Sequence, residues 1–142
     1  MRLAQLIYTS AAVRQMSSAD LAQILETSVR NNTRDGLTGM LLYHEGSFMQ
    51  VIEGEETVLM ATFRRIQRDA RHGHVFMIEQ GEIAERSFSH FTMGFRKLTA
   101  SDLTNHPGYA PFFAPQFDPA AIGARPGLAL SVLQTFTSAA GA

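Results

Sequence analysis

Two strand-length runs, Leu37 to Tyr43 and Ser47 to Glu53, are separated only by His44-Glu45-Gly46 and flanked on each side by helical periodicity. Runs this short around a glycine-bearing turn form a β-hairpin. A hairpin set between two amphipathic helices must bury its apolar positions beneath them, which restricts the chain to a few layered plans. Upstream, Ser17 followed by Asp20 has the form of a capping box. Leu21, Ile24, Leu25 and Val29 then fall on one face, predicting a helix over about Ser18 to Arg30. Asn31-Asn32-Thr33-Arg34-Asp35-Gly36 reads as turn chemistry. Downstream, Val58, Leu59, Thr62, Phe63 and Ile66 share a face of a second helix starting at Glu56, with Arg64, Arg65, Arg68 and Arg71 mostly off it. His72-Gly73 is the expected stop.

Leu3 to Thr9 supplies a first strand, and His74 to Ile83 and Phe91 to Leu98 supply two more. The order β-α-β-β-α-β-β is that of a ferredoxin-like α+β fold with both helices on one face of a mixed sheet. In that plan the first and third strands are central neighbours, so Tyr8 and Gln50 are expected on adjacent strands. From Thr99 onward Pro107, Gly108, Pro111, Pro115 and Pro119 predict an irregular connection. A short helix from about Pro126 to Thr137 follows, with proline at its first position. Residues 1–98 are therefore expected to form one domain and residues 99–142 a C-terminal helical extension that serves for packing or output. Its Phe112, Phe113, Leu128, Leu130 and Phe136 suit either the open face of the sheet or a contact in a homo-oligomer.

The 142 residues are 45% hydrophobic and 18% charged, a balance that supports a buried core rather than a disordered chain. A formal net charge of -1 gives no field for a polyanion, so nucleic acid is not an expected partner. No run reaches the roughly 18 apolar residues of a membrane helix, and Met1-Arg2-Leu3-Ala4-Gln5 leads directly into a strand pattern. A cytoplasmic location without a membrane partner is expected. Cysteine and tryptophan are both absent, which excludes disulfides, thiolate metal sites, cysteine nucleophiles and covalent thiol adducts.

Taken singly, the chemistry-bearing residues have ordinary roles. Tyr8 at a strand end reads as a half-buried packing residue, and Gln50 as a core amide with its hydrogen bonds satisfied. The arginines after Glu56 read as a solvated helix face, of which one or two could meet an anionic group. His72 and His74 lack a clear third ligand, so no metal is expected. An anion pocket of the acylphosphatase kind could be cast from Arg30 and Asn32, but no glycine-rich phosphate loop supports such an enzyme.

It is the combination that departs from these defaults. Leu6-Ile7-Tyr8-Thr9-Ser10, Arg30-Asn31-Asn32, Gly36-Leu37-Thr38-Gly39-Met40-Leu41-Leu42-Tyr43, Phe48-Met49-Gln50-Val51-Ile52-Glu53-Gly54, Asp69-Ala70-Arg71-His72 and Met93-Gly94-Phe95 stand in this order. Together they closely resemble the BLUF family of blue-light sensors over roughly residues 1 to 98. The resemblance implies FAD bound non-covalently between the two helices beside the sheet, with FMN or riboflavin as alternatives. It implies that Tyr8 is the redox-active tyrosine, Gln50 the glutamine bridging it to the flavin, and Met93 the final-strand methionine nearby. Asn31, Asn32, Arg65, Asp69, Arg71 and His72 fall where the family meets the ring and its ribityl-phosphate chain. At one position the chain departs from the family: Phe91 stands where tryptophan is common, and phenylalanine has no N–H to donate to the glutamine.

A phenol both donates and accepts a hydrogen bond, and a glutamine amide donates at one end and accepts at the other. Set between a phenol and a flavin ring, such an amide exchanges donor for acceptor by rotating or tautomerising. The resemblance thus implies a light sensor rather than an enzyme, acting on a separate effector or regulator protein. The alternative is a flavin-free ferredoxin-like interaction module, which would purify colourless and take up no added FAD.

Overall fold

In the computed structural model, which describes residues 2–113 and 127–140, the hairpin forms from β2 (Thr38–His44) and β3 (Ser47–Glu55). Glu45 and Gly46 join them at φ of 44° and 90°. Two successive positive φ values make a type I′ turn, whose twist matches that of paired strands. β1 (Leu3–Ala12) pairs antiparallel with β3 on one side and with β4 (His72–Glu82) on the other, while β5 (Gly94–Lys97) lies parallel to β2. The strand order β4-β1-β3-β2-β5 is the ferredoxin-like arrangement with one strand added at the edge.

Alternation along the strands divides the core into two layers. Leu6, Tyr8 and Ile52 pack under α2 (Glu56–Gln67) through Leu59 and Phe63; Leu41, Tyr43 and Phe48 meet Leu21, Ile24 and Leu25 of α1 (Ser18–Asp35). Ile7, Met40, Leu42, Met49 and Val51 point the other way. They are covered by Phe88, Leu98, Phe112 and Phe113, and by Val132, Leu133 and Phe136 of the C-terminal helix α4 (Leu128–Ala140). The extension therefore closes the sheet's open face. Among the described residues no helix is long and apolar enough to cross a membrane.

Several boundaries differ from the sequence expectation, each for a local reason. α1 does not end at Arg30 but continues through the asparagines to Asp35. Gly36, left-handed at φ 70°, caps the helix with its N–H on the Asn32 carbonyl, and Asn32 is itself buried. β1 extends past Thr9 to Ala12 because Ser10 and Ala11 find partners in Phe48 and Ser47. α2 ends at Gln67, ahead of His72-Gly73: Asp69 folds back to accept the Arg71 N–H at 2.9 Å, and His72 and Gly73 pair with Ala12 and Ala11 as part of β4.

The last strand is confined to Gly94–Lys97 rather than Phe91 to Leu98. Before it, the Phe91 carbonyl accepts from the Gly39 N–H and the Thr92 carbonyl from the Asn32 side chain. The stretch from Thr99 is not irregular at its start. Thr99 and Asp102 form a complete capping box for α3 (Ala100–Asn105), followed by a 3-10 helix over Pro107–Phe113. Pro115, Pro119 and Pro126 lie outside the described residues.

Phe112 is 1% exposed and sits between the extension and the sheet. Phe112→Ala is expected to cost about 3–5 kcal/mol of folding stability, measured by denaturant unfolding. A cost under about 1 kcal/mol would show the extension to be a loosely held cover.

Candidate functional site

α1 and α2 lie on the same face of the sheet, and between them runs a cleft of about 830 Å³ counted with the solvent-open space at its mouth. Its floor comes from the central strands: Tyr8 of β1, Phe48, Gln50 and Ile52 of β3, and Leu41 of β2. Register explains the convergence. Tyr8 is directly opposite Gln50, and Gln50 directly opposite Leu41, so all three side chains rise from one line across the sheet.

The Tyr8 hydroxyl donates to Gln50 Oε1, and Gln50 Nε2 donates to Met93 Sδ at 3.4 Å. Tyr8 and Gln50 are 3% and 5% exposed. Gln50 thus turns its acceptor end to a phenol and its donor end to a thioether, which accepts weakly and has nothing to donate. Met93 fits against β2 because residue 39 is glycine. A Cβ there would lie 2.1 Å from the Val51 carbonyl oxygen and 3.3 Å from Met93 Cε.

Burial pushes the Tyr8 hydroxyl well above the ordinary tyrosine range, and the nearby Asp69 carboxylate pushes it further. The ring leans on Phe63 at 5.6 Å and meets His72 edge-on at 6.4 Å. His72 is held at both nitrogens, with Nε2 2.6 Å from the Ile66 carbonyl and Nδ1 2.8 Å from Ser10 Oγ. A carbonyl only accepts, so Nε2 carries the proton, and in the neutral ring the Ser10 hydroxyl donates to Nδ1.

The cleft walls carry the other predicted residues. Asn31 and Asn32 line the α1 side, with Asn32 Nδ2 donating to the Thr92 carbonyl at 2.9 Å. On the α2 side Arg65 Nη2 donates to Asp35 at 3.1 Å and to Thr62 Oγ1 at 3.0 Å. Arg71 forks onto Asp69, with Nε–Oδ1 3.0 Å and Nη2–Oδ2 2.5 Å. That guanidinium is the chief reason the Asp69 carboxyl sits below the usual carboxylate range, outweighing partial burial. Tyr8, Gln50, Asn31, Asn32, Arg65, Asp69, Arg71 and His72 thus share one cleft, and Met93 adjoins it through Gln50. Phe91 packs with the core on the opposite face of the sheet.

Sequence reasoning missed Ile24, Thr27 and Ser28, which line the α1 wall with Asn31. Their spacing of i, i+3, i+4 and i+7 was the available signal, one helix face that runs from an isoleucine through two small hydroxyl residues to the asparagine. Ser10, which fixes His72, carried no such signal. Among the described residues no group of three or more His, Asp or Glu side chains could hold a metal ion.

An apolar floor, carboxamide edges from Asn31, Asn32 and Gln50, and guanidiniums at the mouth suit a flat heteroaromatic ring with alternating N–H and C=O groups and a phosphate tail. The chemistry of the lining therefore fits a flavin nucleotide. The chain is 37% identical over 86 residues to the photoactivated adenylate cyclase subunit beta of Euglena longa, a match covering 61% of this chain and 10% of that protein. It spans about a tenth of the length of curated relatives such as this one. Among solved structures it superposes on the dark state of BlrB, a BLUF protein, at TM-score 0.76 with 27% identity over 97% of both chains. It superposes on the photo-activated state of BlsA at TM-score 0.74 with 25% identity, over 94% of this chain and 93% of that one. The family model for sensors of blue-light using FAD matches residues 3–94, the span that holds every residue of the cleft, and the chain belongs to that family, BLUF.

Proposed function

We propose that the cleft is the photoactive site of a blue-light sensor whose switch is the hydrogen-bonded pair Tyr8 and Gln50, and whose output is read by a separate protein. The observation that carries this reading is the chain of contacts from the Tyr8 hydroxyl through the Gln50 amide to Met93 on the floor of the cleft. A flavin bound there supplies the light absorption and, once excited, the oxidising power.

The rest falls to the protein. Tyr8 is a buried neutral phenol, so losing an electron makes its proton strongly acidic, and Gln50 Oε1 is in place to take it. Protonating the amide oxygen opens the route to rotation or tautomerisation, after which Gln50 presents a different end to its neighbours. Asn31 and Asn32 are proposed to hold the ring edge, Arg65 and Arg71 the phosphate chain, and His72 and Asp69 the exit of α2 against it. Phe91 cannot compete, since its ring lies with the opposite core.

Met93 immediately precedes β5, so a change at Gln50 bears on the strand that leads into the extension. Relatives named photoactivated adenylate cyclases are far longer chains. BlrB, a BLUF protein matched over nearly the whole of both chains, is the precedent for reading the output as passed to a separate partner.

Purified chain carrying FAD is expected to show a reversible red shift of its flavin absorption under blue light. Tyr8→Phe and Gln50→Leu are each expected to abolish it while retaining flavin, at a stability cost of about 1–3 kcal/mol for the buried partner left unpaired. A Tyr8→Phe protein that switches like the parent overturns the reading.

The raised Tyr8 value yields a second expectation. The phenol remains protonated in the folded chain as pH passes the ordinary value of about 10, so the shift should keep its amplitude from neutral pH to that point. Folding stability contributed by the neutral phenol is complete below about pH 10 and is lost above it, because the unfolded phenol ionises first. A titration of the light-induced shift with thermal unfolding at each pH checks both.

A further inference from the structure

We propose that Glu53 is a positioning residue for the photoreaction: its buried carboxylate ties the β4–β5 connection to β3 and so sets where Thr92 and Met93 meet Asn32 and Gln50. The inference rests on the reading of Gln50 and its partners as the switch.

Glu53 is 0% exposed in an otherwise apolar part of β3. A carboxylate in such a place is costly unless its oxygens are fully engaged. Four donors converge on it. Gln5 Nε2 and the Ser87 N–H reach Oε2 at 2.9 and 2.8 Å; Thr38 Oγ1 and the Phe88 N–H reach Oε1 at 3.2 and 2.9 Å. Gln5 and Thr38 are its register partners on the two flanking strands, whereas Ser87 and Phe88 come from the connection. Arg86 adds three further ties, donating to Thr38 Oγ1, the Glu53 carbonyl and the Gly36 carbonyl at 2.9, 3.1 and 2.9 Å.

From this anchor the chain runs directly to the switch. The Phe91 N–H donates to the Phe88 carbonyl and the Gly39 N–H to the Phe91 carbonyl, both at 3.0 Å. The Thr92 carbonyl accepts from Asn32, and Met93 Sδ from Gln50. Gln50 and Glu53 are three residues apart on β3 and so project from opposite faces of the sheet. One strand thus presents the switch on one face and, through the other, holds the segment that carries the switch's sulfur partner.

The site requires a carboxylate and not merely a side chain of that size. Two of the four donors are successive backbone N–H groups, and a glutamine would turn an NH₂ toward one of the two pairs, setting donor against donor. Freed at Ser87 and Phe88, the connection would release Met93 from Gln50 Nε2 and weaken the arrangement seen here, which the proposal takes as the state to which the protein recovers.

The test uses the full chain loaded with FAD as Glu53→Gln, with Thr38→Val as a milder variant that removes one donor from the same carboxylate. Backbone hydrogen exchange at Ser87, Phe88 and Gly39 is read alongside flavin occupancy and the dark recovery rate of the light-shifted band. With occupancy retained, Glu53→Gln is expected to raise exchange at all three amides about tenfold or more. It should also slow recovery severalfold, and Thr38→Val should move both in the same direction by less. Faster exchange at Ser87 and Phe88 with Gly39 and recovery unchanged would make Glu53 purely structural and overturn the proposal. Should Glu53→Gln fail to fold, unchanged exchange and recovery in Thr38→Val overturn it instead. If the parent protein shows no light-induced shift, the sensor reading fails on its own, and Gly39 exchange with the Asn32 side-chain amide resonance still decides whether Glu53 positions this segment.

Discussion

The antiparallel pairing of β1 with β3 sets Tyr8 across from Gln50, and the period of two along a strand makes that pairing all or nothing. A slip of β1 by one residue would send Tyr8 to the face covered by Phe112 and Phe136 and bring Ile7 or Thr9 to the cleft. Several features prevent such a slip. The Glu45-Gly46 turn locks β3 to β2, and Glu53 bonds its register partners Gln5 and Thr38. Burial on both faces penalises every alternative register.

That double burial also explains why the extension is part of the fold. A sheet with a ligand cleft on one face cannot fill that face with packed side chains, so the opposite layer must supply more of the cohesion. Here that layer is one continuous cluster, built from Ile7, Met40, Leu42, Met49 and Val51 against Phe88, Phe112, Phe113 and α4, whereas the helix-side core is split into two clusters. The cleft can remain open because the sheet beneath it is held from behind. Tyr8 and Gln50 then sit on a rigid floor while the helix walls carry the polar edges.

Much of this was legible from residue order. The hairpin, the two amphipathic helices and the Tyr8–Gln50 adjacency all follow from local periodicity together with one topological rule. The boundaries that went wrong depend on distant partners. Asn31 and Asn32 look like a turn, yet burial of Asn32 and its bond to Thr92, sixty residues on, keep them helical. His72-Gly73 looks like a helix stop, yet pairing with Ala12 and Ala11 draws both residues into β4. Thr99 and Asp102 are a different case. They repeat the capping pattern recognised at Ser17 and Asp20, and the prolines that follow obscured it. Glu53 drew no attention as a charge within an apolar strand, because the donors that satisfy it lie in a connection with no periodicity of its own.

Rewiring one hydrogen bond changes an equilibrium by about 1 kcal/mol, roughly a factor of five in populations, so Gln50 alone is a weak lever. Its effect depends on what is least firmly held next to it. Among the described strands β5 is the shortest, four residues at the sheet edge paired with β2, so its displacement breaks the fewest backbone bonds. Beyond Met93 its Arg96 donates to Asp102 at 2.7 Å and lies over the Phe136 ring at 5.2 Å. Asp102 is also the carboxylate that caps α3 through the Thr99 N–H at 2.8 Å. If Gln50 is the proposed switch, a displacement of β5 would disturb the start of α3 and the seat of α4 together, because Arg96 is bonded to the α3 cap and lies over Phe136.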